Sequence, residues 1–187
     1  MAKLIVTEFV TLDGVMEAPG GEPSHPHSGW VFDYAGPEHE KYKMEETLEA
    51  ESQLIGRVTY ESFVGAWPQR KGPFADHFNS MKKYVVSSTL PEPLEWENST
   101  LVKGDVATEV AKLKEREEGP ILVAGSCTLV HTLIENDLVD ELKLMVFPTI
   151  VGGGKRVFPE SGLKKGFKLA DSQTFSTGVI ANSYERA

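Results

Sequence analysis

One cysteine, Cys127, is the only thiol in this chain of 187 residues. A single thiol closes no intramolecular disulfide and builds no cysteine zinc cluster, and it fits a reducing compartment. Positive charge is also scarce: 19 lysines and arginines stand against 28 aspartates and glutamates, a net charge of −9. An acidic chain is a poor general binder of phosphate backbones, so nucleic acid is not an expected partner. No stretch approaches the roughly 20 apolar residues of a membrane span. Glu8 and Asp13 interrupt the first apolar run, so no signal peptide is expected. The expectation is a cytoplasmic protein of one domain, residues 1–187.

Several chemical signatures are missing as well. No Gly-x-Gly-x-x-Gly follows the first strand, and Gly152-Gly153-Gly154-Lys155-Arg156 lacks the spacing and the hydroxyl of a phosphate-binding loop. There is no Gly-x-Ser-x-Gly elbow. Cys127 has His131 one turn on, but its apolar neighbours point to a structural thiol, not a nucleophile. His25 and His27 have no carboxylate or cysteine at a supporting spacing and read as solvated loop histidines, so no metal is expected.

What is present is ordinary globular composition, 40% hydrophobic and 25% charged, enough to bury roughly 70% of the unfolded surface. Lys3 to Leu12 reads as a buried strand ending at Asp13-Gly14. Residues 18–28 form a loop with three prolines. Pro37 opens a helix whose apolar side is expected at Tyr42, Met44 and Leu48. A short strand over Gln53–Gly56 runs straight into a helix from Val58. Further strands are expected at Tyr84–Val86, Leu101–Val102, Ile121–Ala124 and around Leu142–Phe147. Asp105 caps one helix and Ser126 begins another. Phe167–Phe175 and Gly178–Tyr184 form a terminal antiparallel pair. Strand–helix alternation followed by a hairpin predicts an α/β protein: a mostly parallel central sheet, an antiparallel C-terminal hairpin, and helices on both faces.

Parallel sheets bind ligands at the carboxyl ends of their strands. Three such ends here carry turn-forming residues: Gly56-Arg57, Ser87-Ser88 and Gly125-Ser126. Free backbone N–H groups at helix starts suit anions, and three corners on one edge point to a ligand with several phosphates, such as a dinucleotide.

Leu54-Ile55-Gly56-Arg57-Val58-Thr59-Tyr60-Glu61-Ser62-Phe63 resembles the Gly-Arg-x-Thr-(Tyr/Trp)-Glu-Ser segment of dihydrofolate reductases. Tyr84 to Ser88 and Ile121 to Ser126 resemble that family's next strand and its glycine-pair turn. Thr11-Leu12-Asp13-Gly14, and Leu138 to Leu142 followed by Pro148, Gly152 and Gly154, resemble a sister group, the reductase domain of the bifunctional riboflavin-biosynthesis deaminase/reductase. The resemblance runs nearly the whole chain in order, and implies a stand-alone dihydrofolate reductase-like domain of the riboflavin branch.

It implies NADPH as cofactor and a homodimer built through sheet edges. The corner of Gly56, Arg57 and Thr59 would meet the cofactor, Arg57 and Thr59 holding phosphate oxygens, with Arg57 offering a planar fork of donors. Ser87 and Ser88 would lie at the adenosine 2′-phosphate. Gly125, Ser126 and Leu129 would lie by the pyrophosphate and nicotinamide. Asp13 would face the substrate, with Trp30 beside it for stacking. The acid of the helix before Gly56 is assigned by spacing to Glu40, and Met145 replaces its threonine partner. Arg57, Lys82, Lys83 and Lys103 are the expected sources of local positive potential. The substrate would be a heterocycle, either 5-amino-6-(5-phosphoribosylamino)uracil-like or pterin-like. The alternative is a nucleotide-binding or regulatory module of the same fold that has lost reductase chemistry.

Overall fold

The computed structural model describes all 187 residues. Eight strands form one sheet: β1 (Leu4–Thr11), β2 (Ser52–Gly56), β3 (Lys82–Val86), β4 (Ser99–Val102), β5 (Ile121–Val123), β6 (Glu141–Phe147), β7 (Phe167–Thr174) and β8 (Ile180–Arg186). Their order is β4-β3-β2-β5-β1-β6-β8-β7. The six strands from β4 to β6 run parallel, whereas β8 is antiparallel to β6 and β7 to β8. Five helices connect them: α1 (Pro37–Glu49), α2 (Arg57–Ala66), α3 (Pro73–Ser80), α4 (Val106–Arg116) and α5 (Cys127–Glu135). The fold is the mostly parallel sheet with an antiparallel hairpin that the strand–helix pattern predicts.

Side chains alternate across each strand, and that alternation divides the core. Leu4, Val6, Leu54, Tyr84, Ile121 and Val123 turn to α4 and α5, packing with Val110, Leu113, Val130 and Leu133. Their sequence neighbours Ile5, Ile55, Val85 and Leu122 turn the other way, against Tyr60 of α2 and Phe78 of α3. Helices therefore cover both faces. A third, aromatic cluster of Trp30, Met145, Phe147, Phe175 and Val179 closes the β6–β8 side.

Two expectations about charge and packing are corrected. The helix α1 does not bury Met44 and Leu48, which are exposed; it buries Glu46 and Thr47. Lys82 and Lys83 stand at the amino end of β3, away from the carboxyl edge of the sheet. Lys82 pairs with Glu117 at 3.0 Å. Lys83 is wholly buried. Its Nζ donates to the carbonyls of Asn79, Met81 and Glu97 and lies 4.4 Å over the Trp96 ring. A buried ammonium is tolerated only when its donors are used in this way; it binds the chain to itself, not a ligand.

Candidate active site

The carboxyl edge of the sheet is assembled around β2 and β5, which lie side by side. Each strand feeds directly into a helix, β2 into α2 and β5 through residues 124–126 into α5. Both helix starts lack a side-chain cap. In contrast, Asp105 caps α4 by accepting from the Thr108 N–H at 2.9 Å. The first-turn amides of α2 and α5 thus remain available to an anion on the same edge.

The corner is close-packed. Gly56 N–H donates to the Gly125 carbonyl at 3.2 Å. Gly125 has φ +77°, and a β-carbon there would stand 2.8 Å from Thr59 Oγ1. Only glycine meets both the conformation and the space. The Gly125–Ser126 peptide is cis. Gly56, Thr59, Gly125 and Ser126 are therefore brought together. Arg57 opens α2, exposed, with its guanidinium held by Glu61 at 3.0 Å. Residue Gly56 pairs in register with Val86, which sets Ser87 beside Arg57. Ser87 is buried, and its Oγ accepts from the N–H groups of Thr89 and Leu90 at 3.1 Å each. It shapes the turn that leaves Ser88 exposed. Leu129 is buried in the main core. Lys103 pairs with Glu92 at 2.6 Å.

The second half of the edge lies at β1 and β6. Asp13 accepts from the Thr11 hydroxyl at 2.6 Å and from the Gly152 N–H at 2.9 Å. These bonds, the Thr11 hydroxyl foremost, hold its carboxyl below the usual range. Arg156 donates to the Asp13 carbonyl, and His25 Nε2 lies 2.8 Å from the Gly153 carbonyl. The histidine expected to be solvated instead ties the 18–28 loop to the glycine run. Cys127 Sγ lies 3.4 Å from His131 Nε2, and burial pushes the thiol up, as befits a structural thiol.

Trp30 is not open to a ligand: it is 4% exposed and its ring meets Phe147 edge-on at 5.2 Å. Glu40 is exposed on the first turn of α1, and its side chain makes no hydrogen bond or ion pair. The α1 residues turned toward β1 are instead His39, Lys43 and Glu46, a stripe with spacings of four and three. The His39 ring packs against Phe9 and Phe147 at 5.2 and 5.7 Å. Burial lowers its pKa, and its Nδ1 is buried without a partner. Lys43 donates to Thr7 Oγ1 at 2.9 Å and to Glu46, and the Thr7 hydroxyl reaches Glu46 at 2.9 Å. The sequence reading does not reach this group, because glutamates on a helix such as Glu46 resemble a solvated face. The helical spacing from His39 through Lys43 to Glu46 was the available signal.

Glu8 was also missed. It sits among Leu4, Val6 and Val10 on the strand face that otherwise builds the core. Its Oε1 accepts from the Gly125 N–H at 2.7 Å. Burial raises its pKa to about 8, against the lowering effects of that bond and of Lys43.

Comparison with known proteins agrees with this architecture. A Bacillus subtilis protein, the uncharacterized YyaP, is 28% identical over 192 residues, covering 97% of this chain and 94% of its own. A putative riboflavin biosynthesis protein from Shewanella sp. PV-4 superposes with a TM-score of 0.79 at 22% identity, over 99% of each chain. Dihydrofolate reductase from Enterococcus faecalis, solved with NADP(H), gives a TM-score of 0.65 at 17% identity, over 98% of this chain and 96% of that one. These likenesses show a dihydrofolate reductase-like fold. The family model for the RibD C-terminal domain matches residues 2–181, and the chain belongs to that family.

Proposed function

We propose that this protein is an NADPH-dependent reductase acting on a small heterocycle, 5-amino-6-(5-phosphoribosylamino)uracil-like or pterin-like. The observation that carries the reading is the pair of uncapped helix starts, α2 and α5, on adjacent parallel strands, with Arg57 exposed at the first position of α2. That arrangement suits a ligand with several phosphates. NADPH supplies the hydride, so the protein needs no nucleophile.

In this reading the α2 and α5 amides and Arg57 hold phosphate oxygens, and Ser88 meets the 2′-phosphate. Thr59 and Ser126 line the turn where the cofactor comes closest to the backbone. Asp13, ionised at neutral pH, orders the Gly152 turn at the substrate side; it is poorly suited to deliver a proton. On the α1 stripe the ammonium of Lys43, which faces β1, would meet polar atoms of the heterocycle in preference to Glu40.

The test is a fluorescence titration of the protein with NADPH and NADH. Cofactor oxidation is then followed by absorbance with pterins and ribosylaminopyrimidines. Tight NADPH binding with turnover on one of these supports the reading. Binding without turnover on any of them supports the second reading, a nucleotide-binding module. The exposure of Glu40 and the thioether of Met145, which donates no hydrogen bond, favour that alternative. We also propose a homodimer through β7, whose residues Lys168 to Thr174 are all exposed on a free sheet edge. Light scattering at twice 20.6 kDa supports it; the monomer mass at high concentration refutes it.

A further inference from the structure

We propose that Glu8 is a positioning residue for the cofactor: its carboxyl holds the Gly125 amide, and its charge sets how tightly an anionic dinucleotide seats at the β5 corner. The inference rests on the cofactor reading above. Geometry carries it. The β1–β5 register pairs Val6 with Val123, and two residues further along both strands Glu8 comes beside Gly125. The carboxyl takes the Gly125 N–H at 2.7 Å, while the Gly125 carbonyl takes the Gly56 N–H. One residue thus links β1, the end of β5 and the start of α2. An apolar residue at position 8 would match Leu4, Val6 and Val10 and leave that N–H without its acceptor.

The charge is equally specific to the place. Lys43 and Glu46 of α1, themselves an ion pair, act on Glu8 in opposite senses, Lys43 favouring its charge and Glu46 opposing it. From α5 the neighbour is Cys127, whose surroundings also include Lys155 and Glu17. No cation bonds to Glu8 directly. An ionised carboxylate there opposes phosphate oxygens arriving at the adjacent helix starts, whereas the uncharged acid still accepts the Gly125 N–H through its carbonyl oxygen. Burial keeps the acid uncharged through neutral pH. The sign follows: bound anion and ionised Glu8 disfavour each other, so cofactor affinity falls as Glu8 loses its proton.

Three proteins are titrated with NADPH by fluorescence at about pH 6.5 and about pH 9.5: the native chain, Glu8→Gln and Glu8→Leu. Native affinity should fall about tenfold or more at the higher pH, beyond any change shared with Glu8→Gln. Glu8→Gln should bind tightly at both, because its amide oxygen keeps the Gly125 bond without the charge. Glu8→Leu, which loses the acceptor, should bind more weakly at both. The same pH response in the native chain and Glu8→Gln overturns the proposal. So does binding by Glu8→Leu equal to that of Glu8→Gln. No NADPH binding by the native chain at either pH overturns the cofactor reading, and the proposal with it.

Discussion

A β-carbon on Gly56 would stand against Ser126 Oγ and 2.9 Å from Ser126 Cβ. The two residues belong to the ends of adjacent strands, and their contact fixes how closely the starts of α2 and α5 approach. Gly56→Ala should therefore destabilise the protein by about 1–3 kcal/mol, the usual range for overpacking a tight site. Adding Ser126→Gly removes the offending atoms and should recover much of that loss. Urea unfolding of both single variants and the pair gives the coupling directly. A pair whose losses merely add would show that the two residues do not limit the approach.

Arg57→Ala should weaken NADPH binding by about tenfold, on the scale of one lost charge-assisted contact. Stability should change by less than about 1 kcal/mol, because the exposed Arg57–Glu61 pair contributes little. Glu61→Gln frees the guanidinium and should leave affinity equal or slightly stronger. Fluorescence titration beside thermal unfolding separates the two effects. Unchanged affinity in Arg57→Ala removes the arginine from the site.

Lys83→Met should behave in the opposite way. Three carbonyls lose their donor, so stability should fall by about 2 kcal/mol, with NADPH affinity unchanged because β3 begins at the far end of the sheet. Burial lowers the Lys83 pKa to about 8. The folded state therefore binds fewer protons than the unfolded state above that value, and this residue makes the native protein gain stability as pH rises from about 8 towards 10.5. That gain should be missing in Lys83→Met when urea midpoints are compared across this range.

Much of this architecture is legible in the sequence because strand patterning and helix punctuation agree. Ile121-Leu122-Val123 followed by Gly-Ser is a buried strand entering a helix, and Asp105 caps α4 as its side chain dictates. The Gly56 and Gly125 corners are equally plain, since backbone approach demands glycine. The α1 side of the sheet edge is harder to read for a physical reason. The helix α1 buries Glu46 and Thr47 while leaving Met44 and Leu48 exposed, so hydrophobic phase points to the wrong face. Its polar residues are admitted by partners on β1, Thr7 above all, and such pairing across nearly forty residues leaves no local trace. Lys83 is hidden for a related cause: the carbonyls of Asn79 and Met81 just before it, joined by that of Glu97, make its burial tolerable. Trp30 reads as a ligand platform only until Phe147 is seen against it.

The Lys43–Glu46 pair tests whether that polar stripe serves more than packing. Lys43→Met leaves Glu46 buried without its cation and should cost about 3 kcal/mol, as breaking a buried pair does. Lys43→Met with Glu46→Leu removes both charges and should restore most of the stability. If the ammonium also meets the heterocycle, the double variant should still show a raised KM in NADPH oxidation assays. A double variant with native KM would confine the pair to holding α1 on β1.

Glu8 gives the last prediction, and its sign is distinctive. Most native carboxyls titrate at or below their ordinary values, so acid destabilises the fold. Glu8 titrates near 8 in the folded protein against an ordinary 4.5, because burial opposes its charge. Between these values the folded state keeps a proton that the unfolded chain has released. The stability associated with the neutral acid is therefore complete below about pH 4.5 and is lost as pH rises through about 8. Glu8→Gln cannot ionise and keeps an acceptor for the Gly125 N–H. Its stability relative to the native protein should thus increase steadily across that interval and level off above it. Each unit of raised pKa corresponds to about 1.4 kcal/mol, so the gain should amount to a few kcal/mol at most. Urea midpoints of the two proteins from about pH 5 to about pH 9 measure it. A constant difference across that range would mean that Glu8 titrates near its ordinary value and that its carboxylate is ionised beside Gly125 at neutral pH.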